Sequence, residues 1–489
     1  MPEIVNWRLL FFDKDSRIKN EIVQNEQSIL QGGAAMTKRT ARFYAAMFVG
    51  KLAYATQRLL GMNATFFPGK LALQICPDFM GQVGRPKNLI GVTGTNGKTT
   101  VSNLLVDLLE AEGIRTTNNR KGSNTKAGVA CAFLVNATLG GRSKTEWGVI
   151  EVDERSSMHI YPFIKPDYVV CTNLFRDSII RNAHAEYIAG IISAYMQPET
   201  KLILNADDLI SSGVAPDNPR VYYSISRLPT DTKTCQNIIN DCQICPKCAA
   251  KLDYDYVRYH QIGKAHCPNC GFASPVPDYE AEVDFKERRM VLTERGDAQV
   301  YSLISDSIFN VYNQVAVTTL LREMGMSPDE LRDGFSKLHI VDTRYNKTTV
   351  NGIDVIDHMA KEHNPVACSV VFDYLSKEPG TKEILFLLDD EKVLENMTWM
   401  YDCDYEKLNS PLVKRIVIPG NRAKDQKLRL MMAGIPEEKI VIGMTDEEAP
   451  DYLGLDGTEK VFVLHQCYKP DLSHKLHQKI EELIRRRGA

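Results

Sequence analysis

The sequence predicts an α/β protein with two parallel-sheet domains, a larger one interrupted by an insert and a smaller one behind it. Three observations carry this. From residue 89 onward, short apolar or β-branched runs alternate with helical stretches, the pattern of βαβ units. Gly91-Val92-Thr93-Gly94-Thr95-Asn96-Gly97-Lys98-Thr99-Thr100 joins the run 89–92 to an amphipathic helix. Between about 235 and 280 the alternation gives way to a cysteine-bearing, aromatic-rich insert, and it resumes beyond about 345.

Along the chain, residues 1–35 are polar, contain Gln24, Asn25 and Gln27, and end in Gly32-Gly33 before a second methionine, Met36. They are read as an extension outside the fold. The stretch 43–61 is apolar but broken by Lys51 and Arg58, too interrupted for a membrane span. An amphipathic helix on the protein surface or at a membrane interface fits it better. After Lys98 the residues Val101, Leu104, Leu105, Leu108 and Leu109 keep helical spacing, and Gly113 is placed to end that helix. Further strands are expected at 147–152, 168–171, 202–204 and 221–223, then at 384–388, 415–418, 439–442 and 461–464. The second series has no phosphate loop, so it reads as a separate domain.

Bulk properties exclude several functions. A chain of 489 residues is too long for one core. Its formal charge of −3, from 59 basic and 62 acidic side chains, gives no electrostatic case for nucleic-acid binding. Of the 12 cysteines, four form two Cys-x-x-Cys pairs and the rest are scattered, which suits a reduced, cytosolic setting.

The loop 91–100 has the parts of a phosphate cradle. Glycines let backbone N–H groups close on phosphate oxygens, the helix start adds its dipole, Lys98 reaches the β/γ-phosphates, and the Thr99 hydroxyl can hold Mg²⁺. It is a variant, with Val92 where the general pattern has glycine. Glu151-Val152-Asp153-Glu154 ends an apolar strand, so its carboxylates emerge where α/β sites form, and Glu154 can share the Mg²⁺ with Thr99. The bland alternative is a solvated acidic strand end. Lys121-Gly122-Ser123-Asn124 and Thr172-Asn173-Leu174-Phe175-Arg176-Asp177 read as substrate or nucleotide loops, and Phe309-Asn310-Val311-Tyr312-Asn313 opens a helix in which an asparagine can equally be a cap. Cys245, Cys248, Cys267 and Cys270 give C-x2-C-x18-C-x2-C, a zinc-ribbon spacing. Four thiolates leave no open position for water, so the Zn²⁺ is structural. Near the end, Asp402, Asp404 and Glu406 lie among Trp399, Tyr401 and Tyr405, either an acid/base or orienting site or a solvated loop stapled by the tryptophan.

Together these motifs resemble the Mur ligases, ATP-dependent enzymes of peptidoglycan precursor synthesis. Asn119-Arg120-Lys121-Gly122-Ser123-Asn124, Thr172 to Asp177, Leu204-Asn205-Ala206-Asp207-Asp208, the ribbon, Asn310-Val-Tyr-Asn313, Trp399-x-x-Asp402-x-Asp404-Tyr405-Glu406 and Gly420-Asn-Arg422-Ala423-Lys-Asp425 are similar, in order, to the MurT subunits of that family. The resemblance implies a Mur-ligase-type central ATPase domain over 36–344, with the four-cysteine ribbon inserted at about 235–280, and a smaller Rossmann-like domain over 345–489. It implies amidation of the D-glutamate α-carboxylate of lipid II through an acyl phosphate, with ATP and Mg²⁺ as cofactors. Gly94, Thr95, Asn96, Gly97, Lys98, Thr99 and Thr100 would bind the nucleotide, Asn310 the adenine and Arg344 the nucleotide; Thr99 and Glu154 would hold Mg²⁺. Ammonia would come from a GatD-like glutaminase partner whose Cys and His need an acid, supplied by Asp402, with Asp404 as fallback. Such a protein acts in the cytoplasm, or peripherally at the inner membrane face where lipid II resides, and not on nucleic acid. The competing readings are a Mur-type ligase adding an amino acid to a peptide or folate, and a zinc-ribbon NTPase acting on nucleic acid.

Overall fold

The computed structural model describes residues 38–177, 182–338, 345–361, 364–388, 397–466 and 470–487; the expected extension 1–35 and Arg344 lie outside them. The first sheet is built from β1 (Asn88–Thr93), β2 (Thr116–Asn118), β3 (Trp147–Glu151), β4 (Tyr168–Cys171), β5 (Lys201–Asn205) and β6 (Arg220–Ile225). The ribbon strands β7 (Asp253–Tyr259) and β8 (Ile262–His266) form a separate two-stranded sheet. After them β9 (Tyr279–Asp284), β10 (Arg289–Glu294) and β11 (Asp297–Ser302) rejoin the first sheet, whose nine strands run β11-β10-β9-β6-β5-β4-β1-β3-β2. From β2 to β9 every pairing is parallel, and β10 and β11 add an antiparallel meander that the alternation pattern does not anticipate.

Parallel strands are covered on both faces and so read as continuous apolar runs. In β1, Leu89 packs into one core with Ile150, Val169 and Leu202, while Ile90 and Val92 pack into the other with Val149, Val170 and Ile203. The helix Lys98–Ala111 buries Val101, Leu104, Leu105, Leu108 and Leu109 in that second core, as their spacing requires. Each such side chain contributes on the order of 1.5–3 kcal/mol when fully buried. Gly113, with φ +74°, ends the helix: the Ile114 N–H donates to the Leu109 carbonyl at 2.9 Å.

The second sheet comprises β12 (Tyr345–Val350), β13 (Ile353–Met359), β14 (Lys382–Leu387), β15 (Val413–Ile418), β16 (Ile440–Ile442) and β17 (Lys460–His465) in the order β12-β13-β17-β14-β15-β16. Only β12 runs antiparallel to its neighbour.

Candidate active site

The loop after β1, the acidic turn after β3, the segment after β4 and the Asn205-Ala206-Asp207-Asp208 turn after β5 leave the carboxyl ends of neighbouring parallel strands, so they converge on one sheet edge. In the phosphate loop Gly94 (φ +120°) and Gly97 (φ +88°) are left-handed, where a side chain is strained. Space forbids one too. A Cβ on Gly94 would lie 2.3 Å from Thr172 Oγ1, and one on Gly97 2.2 Å from Asn313 Oδ1.

Lys98 opens the helix and turns its ammonium back over the loop, donating to the carbonyls of Gly94 and Thr95 and pairing with Glu154 Oε2 at 3.1 Å. Glu154 lies three residues beyond the end of β3, ahead of the short 3₁₀ helix Arg155–His159, and is only 2 % exposed. Burial pushes its carboxyl above the usual range, and the Lys98 charge opposes that shift. A buried carboxylate facing a single lysine at a phosphate loop is a donor set suited to a divalent cation, which would offset the desolvation. Thr99 is exposed on the same helical turn, and Thr100 is half-buried. The Asn96 side-chain amide is buried with its nitrogen unpartnered, a donor available to a phosphate oxygen.

The loop's shape is imposed from outside it. The Thr95 N–H donates to the Asn173 carbonyl at 2.7 Å, the Asn96 N–H to Asn173 Oδ1 at 3.0 Å, and Thr172 Oγ1 and Asn173 Nδ2 donate to the Asn96 carbonyl at 2.7 and 3.1 Å. Thr172 to Phe175 thus brace the cradle. Asn124 and Asn119 play a like part at the acidic turn, Asn124 Nδ2 donating to Glu151 Oε1 at 3.0 Å and Asn119 Nδ2 to the Glu151 carbonyl at 2.9 Å. Asn310 is not a cap: it sits inside the first turn of the helix Ile308–Glu323, which touches Gly97 through Asn313, and it donates to Ser305 Oγ at 3.2 Å.

Two contributions escape sequence reading. Asn364 caps the helix Pro365–Lys377, accepting from the Ala367 N–H at 2.9 Å, and its Nδ2 donates to Asn96 Oδ1 at 2.9 Å, so the second domain reaches the phosphate loop. On the 3₁₀ helix that follows the acidic turn, burial first and then the charges of Lys126 and Arg155 push the His159 imidazole below its ordinary value, so these three basic groups lie near one another. Asn364 is far from Asn96 in sequence, and Lys126 far from Arg155 and His159, so no local motif announces either contact.

In the ribbon the sulfur atoms of Cys245, Cys248, Cys267 and Cys270 all lie within 4.8 Å of one another. Four thiolates at about 2.3 Å from a tetrahedral Zn²⁺ stand about 3.8 Å apart, so the cluster fits that ion. Each pair sits on a tight turn, with the Cys245 N–H donating to the Ala250 carbonyl at 2.7 Å and the Cys267 N–H to that of Phe272 at 2.6 Å. The far end of the ribbon hairpin wedges against the nucleotide side. Gln261 Nε2 donates to the Leu174 carbonyl at 2.9 Å, and the Tyr259 ring packs on Phe309 with centroids 4.5 Å apart. Arg258 ties the hairpin down, pairing with Asp231 at 2.8 Å and Asp207 at 3.5 Å.

The segment 398–406 is a pair of 3₁₀ turns anchored by buried Trp399 and Tyr405, not a solvated loop. Asp404 is buried and spent: it accepts from Asn237 Nδ2 at 2.6 Å and the Ile238 N–H at 2.7 Å, clipping the insert to the second domain. Asp402 is partly exposed. Its Oδ1 faces Arg176 Nη1 at 3.2 Å, that arginine being held by Asp241 at 2.6 Å, and burial raises its carboxyl pKa against the pull of Arg176. Glu406 pairs with Arg429 at 2.9 Å.

A parallel sheet with a glycine-rich phosphate loop, a buried glutamate facing its lysine and a second α/β domain reaching over the loop define a Mur-type ligase. The Mur ligase middle domain family matches residues 92–242, and the MurT ligase C-terminal family matches 362–468. The chain is 30 % identical over 404 residues to the MurT subunit of lipid II isoglutaminyl synthase (glutamine-hydrolyzing) from Staphylococcus aureus, covering 82 % of this chain and 90 % of that protein. With the Streptococcus pneumoniae counterpart it shares 26 % over 401 residues, 81 % and 88 % of the two chains. Among solved structures, a pseudomurein peptide ligase type C from Methanothermus fervidus superposes with a TM-score of 0.59 at 20 % identity, covering 81 % of this chain and 79 % of that one. A MurF ligase from Thermotoga maritima in complex with ADP gives 0.54 at 15 %, covering 86 % and 85 %. This chain belongs to the MurT family of ATP-dependent ligases. ATP and Mg²⁺ are the cofactors the family implies. No helix among the described residues is long and apolar enough to cross a membrane.

Proposed function

We propose that the chain amidates the α-carboxylate of D-glutamate in the lipid II stem peptide, as the synthase subunit of a two-subunit enzyme. The observation that carries this is similarity along nine-tenths of a relative named as a lipid II isoglutaminyl synthase subunit. In the first step a carboxylate oxygen takes the γ-phosphoryl group, giving acyl phosphate and ADP; in the second, ammonia attacks the carbonyl carbon, phosphate leaves and a proton is lost. Lys98 neutralises charge on the transferred oxygens, the N–H groups of the loop 94–100 position the phosphates, and the unpartnered Asn96 Nδ2 is assigned to a phosphate oxygen. Thr99 and Glu154 are the Mg²⁺ ligands; the ion would screen the phosphate charge. Asn310 and Arg344 are assigned to the nucleotide, and the four cysteines to structural zinc.

The partner is a glutaminase. Asp402, which presents its second oxygen free of hydrogen bonds among the described residues, orients the partner's catalytic imidazole. Asp404 is withdrawn from that role by its clip to Asn237 and Ile238. The domain division at 344/345 belongs to the same proposal. Purified chain given lipid II, ATP and an ammonium salt forms amidated product. If folded protein makes none, with ammonium or with a glutaminase and glutamine, or if an amino acid and not ammonia stimulates ADP release, the assignment fails.

A further inference from the structure

The helix Ala41–Leu59 is apolar on two sides. One side, with Phe43, Ala46, Met47 and Gly50, packs into the first core against the helices Phe67–Ile75 and Lys126–Val135. The opposite side has nothing against it among the described residues. Ala41, Tyr44, Ala45, Phe48, Leu52, Ala55 and Leu59 follow helical spacing along one exposed stripe, and all seven are apolar or aromatic. Leu60, Met62, Phe66 and Phe67 extend it through the following turn; Phe48 is 63 % exposed, Leu60 69 % and Leu59 88 %. An outward stripe of this size is a contact surface and not scattered exposure.

Charge identifies the occupant. From Lys38 to Pro77 there is no aspartate or glutamate, while Lys38, Arg39, Arg42, Lys51, Arg58 and Lys70 are cationic, in a chain whose net charge is −3. Arg39 and Lys51 are tied to backbone carbonyls of the core, whereas Lys38, Arg42, Arg58 and Lys70 are exposed around the stripe. An apolar strip bordered by cations, on a helix not apolar enough to span, is the pattern of a segment lying in an anionic bilayer surface. We propose that this helix and the turn after it dock the protein on the headgroup region of an anionic membrane.

The platform adjoins the site. A Cβ on Gly122 would lie 2.8 Å from Thr65 Cβ, so the loop 119–124, whose Asn124 holds Glu151, rests on the turn that ends the stripe. A lipid-anchored peptide entering along this side meets the loop 119–124 and the acidic turn that Asn124 holds first. The inference rests on the lipid II reading only in that this substrate is membrane-borne.

The test is cosedimentation of the full chain, without ATP or substrate, with phosphatidylcholine vesicles and with vesicles also containing phosphatidylglycerol. The chain should pellet with the anionic vesicles, less so at high salt, and remain in solution with neutral ones. Phe48→Asp with Leu52→Asp should cut binding at least tenfold, and Arg58→Glu about fivefold or more, by the rule of thumb for one basic side chain at an anionic surface. Unchanged melting profiles would show the variants fold. Absence of binding to anionic vesicles, or equal binding by the double variant, overturns the proposal; a dimer that Phe48→Asp dissociates, without vesicle binding, gives the face to a second copy of the chain. Amidation of a lipid-free precursor peptide tests the enzymatic reading separately, and the vesicle result does not bear on it.

Discussion

Glu154 in the first domain and the Asp402/Asp404 pair in the second are all carboxylates on short turns, yet the structure gives them different fates. Glu154 is buried against one lysine at the phosphate loop, a charge poised for a cation. Asp404, equally buried, has both oxygens occupied by the insert, and Asp402, two residues earlier, keeps one oxygen available beside Arg176. Burial alone therefore says little about role. Under the proposed roles, what separates a working carboxylate from a structural one is whether neighbours exhaust its acceptor capacity.

The sharpest test of that contrast removes the lysine. Lys98→Ala should lower ATP turnover by at least roughly a thousandfold, the cost of losing a charge aimed at the transferred group, and Glu154→Gln should raise the Mg²⁺ concentration needed for half-maximal rate; normal turnover in either variant would place the ATP site elsewhere. Asp402→Asn comes next. Ammonia-driven synthesis should persist while glutamine-driven synthesis falls by on the order of a hundredfold or more, since an imidazole without its acid loses orientation; intact activity with both nitrogen sources would remove Asp402 from the interface. Asp404→Ala should act the other way, leaving the Asn237 amide and Ile238 N–H unpaired and costing about 1–3 kcal/mol of stability with both nitrogen sources affected alike. Calorimetry beside the two assays distinguishes them.

Two smaller effects sharpen the comparison between the halves. Metal analysis should find one zinc per chain, and its chelation should lower the first domain's melting midpoint by roughly ten degrees, given several kcal/mol from the ion and about 2–4 °C per kcal/mol. In the second domain a buried imidazole ties the helix Pro470–Arg487 to the sheet: His477 stands 3.0 Å from Asp357 of β13 and 3.4 Å from Glu481. Burial lowers its pKa, but the two carboxylates outweigh that and leave it above the ordinary histidine value. A raised imidazole adds stability that is complete below the unfolded pKa and lost as pH climbs through the folded one. The midpoint of the second domain should thus decline slightly from about pH 6.5 upward, and His477→Gln should flatten that decline in melts run across the range.

The sequence by itself determined the alternating α/β order, the phosphate loop, the four-cysteine ribbon and the helix spacing after Lys98, because each depends on residues within a few turns of one another. The strand limits came within two residues, but β2, β12, β13 and the meander β9 to β11 went unforeseen, β2 being three residues long and the others interrupted by charged or polar residues. Only the tertiary structure decided that Asn364 touches Asn96, that Lys126 approaches Arg155 and His159, and that Asp402 and Asp404 diverge. It also showed which side of the helix Ala41–Leu59 is left uncovered. Those outcomes rest on contacts between groups distant in the chain, and local spacing carries no record of which partner will use up a hydrogen bond or cover an apolar face.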